Sequence, residues 1–408
     1  MNEHPDDLPK TLLITLVGKD RPGVTSAVFA ELAHAGVEVL DIEQIVLRRR
    51  LILGVLVSAP RDWKRLREQV IAVGEALDLS IDVDRGVGDN KARRDGRSHV
   101  TVIGTPLKAA AFAAIAGRIA DSGANIDRIE RMARYPVTAI EMHVSGADPA
   151  RLRALLTEEA VSRGIDIAVQ PADLLRRSMR LVVLDVDSTL IQGEVIEMLA
   201  AHVGQEAEVA RVTEAAMSGE IDFEESLRTR VALLAGVSES ALDEVYDALV
   251  LNPGARTLVR VLRRLGYRFA LVSGGFSQIT DRLAADLGIH YSRANELEIV
   301  DGRLTGKLVG PVVDRAGKAS ALRQFAQDVG VPESAVVAIG DGANDIDMLN
   351  AAGLGIAYNA KQALREAADT TVNTPYLDTI MYLLGISREE IEAADAAAGF
   401  VTPAPPIP

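Results

Sequence analysis

The hydrophobic positions of the first 170 residues run through one pattern twice. In "TLLITLVGKDRPGVTSAVFAELAHAGVEVLDIEQI", Thr11 to Ile45, an apolar strand gives way to a Gly/Pro loop, an amphipathic helix that stops at Gly36, and a second strand. "HVTVIGTPLKAAAFAAIAGRIADSGANIDRIERM", His99 to Met132, repeats the order, with Gly123 at the matching helix end. Each copy continues with a strand ("LILGVLVSA"; "AIEMHVSGA"), a helix (Trp63 to Leu77; Pro149 to Arg163) and a last strand ("LSIDVDR"; "IDIAVQ"). Period-2 and period-3.6 segments in this order predict two β-α-β-β-α-β units, each with its helices on one face of an antiparallel sheet. The boundaries read as 10–88 and 97–172, with "GVGDNKARRDGRS" as the linker.

From Arg180 the pattern becomes a longer αβ alternation. "RLVVLDV", "RFALVSG", "SAVVAIGD" and "GLGIAY" are short, wholly apolar strands separated by helical stretches, which predicts an α/β domain with a doubly wound parallel sheet over 178–395. Two insertions interrupt it: a helical cap from Glu194 to about Val250, and "NELEIVDGRLTGKLVG", a hairpin turning at Asp301-Gly302. Residues 396–408, ending in "TPAPPIP", read as a disordered tail.

The polar residues that follow these strands change the picture. In "LVVLDVDSTLIQ" four buried-strand residues run into Asp185, Asp187, Ser188 and Thr189. Unpaired carboxylates cannot cross a core, so these must lie at a strand's carboxyl end. "LVSGGFS" supplies Ser273, Gly274 and Gly275; "AIGDGANDIDML" supplies Asp341, Asn344 and Asp345; Lys318 opens a helix between them. Ligands in such sheets gather at this edge. Each piece alone has a plainer reading: D-x-D is commonly a cap or turn, S-G-G a tight turn, Lys318 a solvated lysine. Their recurrence at successive strand ends makes coincidence a poor explanation. Asp185 with Asp341 suits a hard cation such as Mg²⁺; a carboxylate can attack phosphorus, and one two residues on can serve as acid and base.

Composition narrows the class. A chain of 408 residues with 48% apolar content holds several domains. Its formal net charge of −14 argues against a general affinity for nucleic acid or an anionic membrane. The absence of cysteine excludes disulfides, thiolate metal sites and cysteine nucleophiles. "MNEHPDDLPK" has no signal-peptide character, and no apolar run reaches the roughly 18 residues of a membrane span, so a soluble, cytoplasmic protein is expected.

"DVDSTL", "VSGGF", the later lysine and "GDGANDIDML" together resemble, in order, the four motifs of the haloacid dehalogenase superfamily of phosphatases. Within it, the helical insertion, with "GEVIEMLA" and "AAMSGEIDFEESLRTRVALL", is similar to that of the phosphoserine phosphatases. The N-terminal units resemble ACT domains, the first carrying their loop as "GKDRPG". The resemblance implies Asp185 as nucleophile, Asp187 as acid/base, and Mg²⁺ held by Asp185, the Asp187 carbonyl and Asp341, with Asp345 behind them. It implies phosphate contacts from Ser273, Lys318, Asn344 and the N–H groups of Gly274 and Gly275. It also implies Glu194 for the ammonium and Arg230 for the carboxylate of O-phosphoserine, with Met217 and Phe223 packing at the pocket wall. Without it, Glu194 and Arg230 would read as exposed helical charges. The alternatives are transfer of the phosphoryl group to another alcohol, or a sensor with a vestigial catalytic domain.

The second ACT-like loop, "GTPLKAA", lacks the Asp-x-Pro-Gly of the first. Serine is therefore expected as a regulatory ligand held by Gly18, Asp20 and Gly23 together with Asn125 of "SGANID", within one chain or across a homodimer formed by the ACT units. The rival reading is that both units serve only dimerisation.

Overall fold

The computed structural model describes residues 9–88, 95–217 and 221–401, and these form two compact units joined near Arg93 and Arg94. In the first unit β1 (Lys10–Lys19), α1 (Val24–His34), β2 (Val39–Leu47), β3 (Arg50–Ser58), α2 (Trp63–Ala76) and β4 (Leu79–Val87) give an antiparallel sheet in the order β2-β3-β1-β4. Alternate residues of β1 and β3 (Leu12, Ile14, Leu16; Leu51, Leu53, Val55, Val57) are buried with Val24, Val28 and Leu32 of α1 and Leu66 and Val70 of α2. The period-2 and helical patterns thus meet in one core.

The second unit opens with the same topology. β5 (Ser98–Gly104), α3 (Ala109–Asp121), β6 (Asn125–Ala133), β7 (Thr138–Ser145), α4 (Pro149–Arg163) and β8 (Asp166–Pro171) form a sheet ordered β6-β7-β5-β8. A short helix, α5 (Leu175–Ser178), leads into β9 (Leu181–Leu184). The cap follows as α6 (Val195–Ala201), α7 (Glu206–Met217), α8 (Phe223–Ala232) and α9 (Ser240–Ala248). Then come α10 (Ala255–Arg264), β10 (Arg268–Phe276), α11 (Ser277–Leu287), β11 (Tyr291–Val300), β12 (Arg303–Val309), α12 (Arg315–Val329), β13 (Val336–Gly340), α13 (Ile346–Ala351), β14 (Leu354–Tyr358), α14 (Gln362–Ala367), β15 (Thr370–Val372), α15 (Ile380–Leu383) and α16 (Arg388–Ala397).

The large sheet has seven strands, ordered β12-β11-β10-β9-β13-β14-β15, and is parallel apart from β12. Two features depart from the sequence reading. The hairpin turns where expected, with Asp301 and Gly302 at φ 51° and 72°, but its first strand β11 pairs with β10 and so extends the sheet. β15 is three residues long, too short for its pattern to stand out. At the chain's end α16 continues to Ala397, and Phe400 lies against the guanidinium groups of Arg260 and Arg264. The rest of the expected tail, 402–408, lies outside the described residues.

The second ACT-like sheet is fastened to the large one. Asn373 donates to both oxygens of buried Asp166 on β8, through its main-chain N–H (2.8 Å) and side-chain amide (2.7 Å). Thr370 on β15 donates to the Ile167 carbonyl. Arg176 of α5 donates to Glu141 on β7 and to the main-chain carbonyls of Leu383 and Tyr382. Ile103, Met132 and Ala139 share one hydrophobic core with Val182, Leu184 and Phe269.

Candidate active site

β9 lies between β10 and β13 at the middle of the large sheet, so the residues at the carboxyl ends of these three strands meet over one edge. Beyond β9 the chain leaves extended geometry: Ser188 takes φ 58°, and Leu190 and Ile191 turn back to donate to the Val186 carbonyl. The tight turn leaves Asp185 and Asp187 on the sheet edge. Lys318, on the first turn of α12 behind the Asp314 cap, is fully buried and spans Asp185 Oδ1 and Asp345 Oδ1 at 2.7 Å each. Asp345 Oδ2 in turn accepts the N–H groups of Asp341 and Gly342, both at 3.1 Å. A side chain on Gly340 would strike Asp345, with its Cβ 2.4 Å from that carboxylate, so glycine is required there.

Asp187 is held separately. Its Oδ1 accepts the Val195 N–H at 2.9 Å and its Oδ2 accepts the Ser273 hydroxyl at 3.2 Å. Ser273 Oγ itself accepts the Gly275 N–H at 2.8 Å. Asn295 steadies this loop from below, donating to the Gly274 carbonyl (2.8 Å) and accepting from the Val313 N–H (2.7 Å). Ser273 and the Gly275 N–H thus help to orient Asp187. Gly274 and Gly275 both line the cavity wall.

A cavity of about 610 Å³ opens over these groups and beneath the cap. Asp185, Asp187, Asp341 and Asn344 form its floor, Gly274 and Gly275 one side, and Glu194, Phe223 and Arg230 the cap side. Glu194 caps α6 and accepts the Ser188 hydroxyl at 3.0 Å; Arg230, on α8, reaches Thr213 Oγ1 at 3.4 Å. The cap thus brings one anion and one cation to the mouth of an acidic floor. Phe223 packs against Gly274, where a Cβ would stand 3.2 Å from its ring. The side chain of Met217 lies outside the described residues.

Burial and crowding set the electrostatics. Burial pushes the Asp185 carboxyl well above its ordinary range, and the Asp345 charge adds to this against the pull of Lys318. Burial also raises Asp187, and raises Asp341 to about 6 and Glu194 to about 7 with help from Asp345 and Asp187 respectively. Lys318 is held above its ordinary value because its two carboxylates outweigh burial. Burial lowers Arg230, opposed by Glu194 and Asp187. The floor therefore has more carboxylates than cations. Oxygens of Asp185, Asp341 and Asp345 lie within 4.8 Å of one another, a donor set that fits a hard divalent cation. Asp345 has both oxygens engaged, one by Lys318 and the other by the N–H groups of Asp341 and Gly342.

The sequence reading missed several members. Only the first three core strands were expected to open onto polar residues, yet the loop after β14 brings Lys361 to the cavity, its N–H donating to the Asp341 carbonyl. The signal was present, since "NAK" follows β14 as directly as "DGA" follows β13. Thr213 and Asn295 carried no signal, because a helix threonine and a strand asparagine look ordinary until their partners are known.

The regulatory candidates fall in both units. In the first, Gly18 is buried against β4, where a Cβ would meet Leu79 Cδ2 at 2.2 Å; the exposed Asp20 donates its N–H to the Arg49 carbonyl; Gly23, at φ 93°, starts α1. In the second, Asn125 is exposed and its amide donates to Asp127 Oδ1 at 2.9 Å.

A parallel sheet carrying two aspartates after its central strand, a buried lysine tied to a third, and a helical cap defines a hydrolase of the haloacid dehalogenase type. Residues 182–350 match the haloacid dehalogenase-like hydrolase family, and residues 10–84 and 97–170 each match an ACT domain. The phosphoserine phosphatase of Streptomyces coelicolor is 59% identical over 394 residues, covering 96% of each chain. The phosphoserine phosphatase SerB2 of Mycobacterium tuberculosis is 53% identical over 391 residues, 95% of this chain and 96% of its own. Among solved structures, a probable phosphoserine phosphatase from Vibrio cholerae is 36% identical, with a TM-score of 0.58 over 71% of this chain and 86% of its own. The chain belongs to the phosphoserine phosphatases, haloacid dehalogenase-like enzymes carried here behind two ACT domains.

Proposed function

We propose that the enzyme hydrolyses O-phospho-L-serine to L-serine and phosphate through a phosphoryl group carried on Asp185. The observation that supports this most strongly is the pairing, in one cavity, of a lysine-clamped Asp185 with an independently oriented Asp187. An oxygen of Asp185 attacks phosphorus as the bond to the serine oxygen breaks, and Asp187 delivers its proton to that leaving oxygen. Asp187 then takes a proton from a water, whose oxygen forms the new bond to phosphorus as the bond to Asp185 breaks. Burial keeps Asp187 protonated nearer neutrality than an ordinary aspartate, as the acid role requires. Mg²⁺, held by Asp185, the Asp187 carbonyl and Asp341, would neutralise charge on the transferring group. Lys318 and Asn344 add positive charge and a hydrogen-bonding amide beside it. Glu194 accepts the substrate ammonium and Arg230 its carboxylate, which matches a zwitterion by charge.

The N-terminal domains are assigned to amino-acid regulation, with serine bound by Gly18, Asp20 and Gly23 of one domain and Asn125 of another, in a homodimer. Exposed apolar residues along β2 (Val39, Ile42, Ile45, Leu47) support an association through that edge. The proposed place of the reaction is the last step of serine synthesis, in the cytoplasm. Among the described residues no helix is long and apolar enough to cross a membrane.

Phosphate release is measured over O-phosphoserine, O-phosphothreonine and a simple aryl phosphate, with EDTA and after Mg²⁺ is restored. O-Phosphoserine should be strongly preferred, EDTA should abolish release, and Mg²⁺ should restore it. Release that depends on an added alcohol would favour phosphoryl transfer instead. Serine inhibition that persists unchanged in Asp20→Ala and Asn125→Ala would reduce the regulatory reading to product competition.

A further inference from the structure

A second cluster of ligating side chains lies outside the active site, on the sheet of the second ACT domain. β5 and β7 pair with His99 opposite His143, and β6 pairs with β7 with Glu130 opposite Glu141. Because side chains alternate across a strand, His143 and Glu141 share a face with His99 and Glu130. The other face is the domain's hydrophobic core, with Val100, Val102, Met142 and Val144. His99 Nδ1 lies 3.3 Å and His143 Nε2 3.7 Å from the same oxygen, Glu141 Oε1, and Glu130 Oε2 stands 3.8 Å from His143 Nε2. Both imidazole nitrogens are shielded from solvent, yet neither makes a hydrogen bond of acceptable geometry. The rings meet edge to face with centroids 4.7 Å apart, and both nitrogens lie near the same carboxylate oxygen. Arg176 binds the other oxygen of Glu141, leaving Oε1 to face the histidines.

Two imidazoles and a carboxylate are the donor set of a borderline cation, whereas Mg²⁺ prefers oxygen alone. A tetrahedral zinc site with bonds of about 2.0–2.1 Å has donor atoms about 3.3–3.4 Å apart. The three separations given above reach that spacing with movements of a few tenths of an ångström at side-chain tips, and the donor atoms of His99, Glu141 and His143 all lie within 4.8 Å of one another, whereas Glu130 lies outside that group and must close in to serve as fourth donor. We propose that His99 Nδ1, His143 Nε2 and Glu141 Oε1, with Glu130 Oε2 as fourth donor, form a binding site for a divalent transition cation of the zinc type. The site sits where Arg176 ties the ACT sheet to the Leu383 and Tyr382 carbonyls, so a cation drawing Glu141 toward the histidines acts on the joint between regulatory and catalytic domains.

The test uses the full chain with excess Mg²⁺ to fill the oxygen-donor site. Co²⁺ should bind at one equivalent with the intense visible absorption of four-coordinate cobalt, and Zn²⁺ should displace it. His99→Gln and His143→Gln should each lose that absorption and weaken Zn²⁺ binding in calorimetry at least about ten-fold, while keeping wild-type Mg²⁺-dependent phosphate release; His202→Gln should change neither. In the unaltered chain, Zn²⁺ should protect His99 and His143, and not His202, from diethyl pyrocarbonate, which makes the test independent of whether the variants fold. Co²⁺ giving only weak six-coordinate absorption, a spectrum unchanged in both variants, or equal modification of all three histidines with and without Zn²⁺ would overturn the proposal.

Discussion

Replacing Lys318 by Met probes the ion cluster beneath the active site. The ammonium is fully buried and contacts Asp185 and Asp345 at 2.7 Å each; Asp185 is 3% and Asp345 0% exposed. Methionine fills similar volume, so the change removes charge with little cavity. Two buried carboxylates then stand beside Asp341 with no buried cation. Breaking a buried pair in this way costs about 3–5 kcal/mol. Part of that cost is relieved by protonation, and the sign is determined: the orphaned carboxyl's folded pKa rises above its unfolded value, so the deficit is greatest at high pH. It shrinks by up to about 1.4 kcal/mol per pH unit as pH falls through the raised folded pKa toward the unfolded one. Adding Asp345→Asn removes one orphan and should recover about 1–3 kcal/mol as coupling energy. Urea unfolding in EDTA, followed by circular dichroism at pH 7.5 and 5.5, measures this. The chain's one tryptophan, Trp63, lies on α2 of the first unit, so its fluorescence reports that unit and serves as an internal control. A loss under about 1 kcal/mol, or a deficit that does not change with pH, would mean that Lys318 is not the counter-ion of this cluster.

Arg230→Ala should raise KM for O-phosphoserine far more than for an aryl phosphate, since only the former loses a carboxylate partner; equal losses in steady-state assays would make Arg230 structural. Gly275→Ala should lower kcat by about 10²-fold with an unchanged circular dichroism spectrum, because its Cβ would sit 2.7 Å from Asp187 Oδ2 and 3.0 Å from Ser273 Oγ. Near-normal turnover would show that the Ser273–Asp187 contact is dispensable. Asp166 is raised by burial to about 6, so the native state holds its proton more tightly than the unfolded chain. Its contribution is present below about pH 4 and lost as pH rises through 6, a change of up to about 3 kcal/mol, and Asp166→Asn should flatten that part of the stability profile in urea titrations.

Much of this was legible because the chemistry lies where periodicity is strongest. β9 and β13 are short apolar runs each followed directly by an aspartate, and β10 runs from apolar residues into Ser273, Gly274 and Gly275, so strand and site were read together. Both ACT-like units were visible as a repeat for the same reason. What escaped depends on contacts between distant segments. The role of Ser273 as an orienting hydroxyl follows from Val195 holding the other oxygen of Asp187, 78 residues away along the chain from Ser273. β11 joined the sheet although its pattern described only a hairpin, because pairing with β10 is decided by the neighbouring strand. The His99, Glu141 and His143 cluster is assembled by cross-strand register, which three isolated letters do not reveal.

The covalent role of Asp185 is tested most directly by chemical trapping. The enzyme is mixed with excess O-phosphoserine and Mg²⁺, quenched in acid during turnover, reduced with borohydride and digested for peptide mass mapping. An acyl phosphate on Asp185 should appear as homoserine at position 185, dependent on substrate, more abundant in Asp187→Asn and absent in Asp185→Asn. Full phosphate release with no substrate-dependent product at position 185, or with the label on another residue, would contradict a phosphoryl group carried on Asp185.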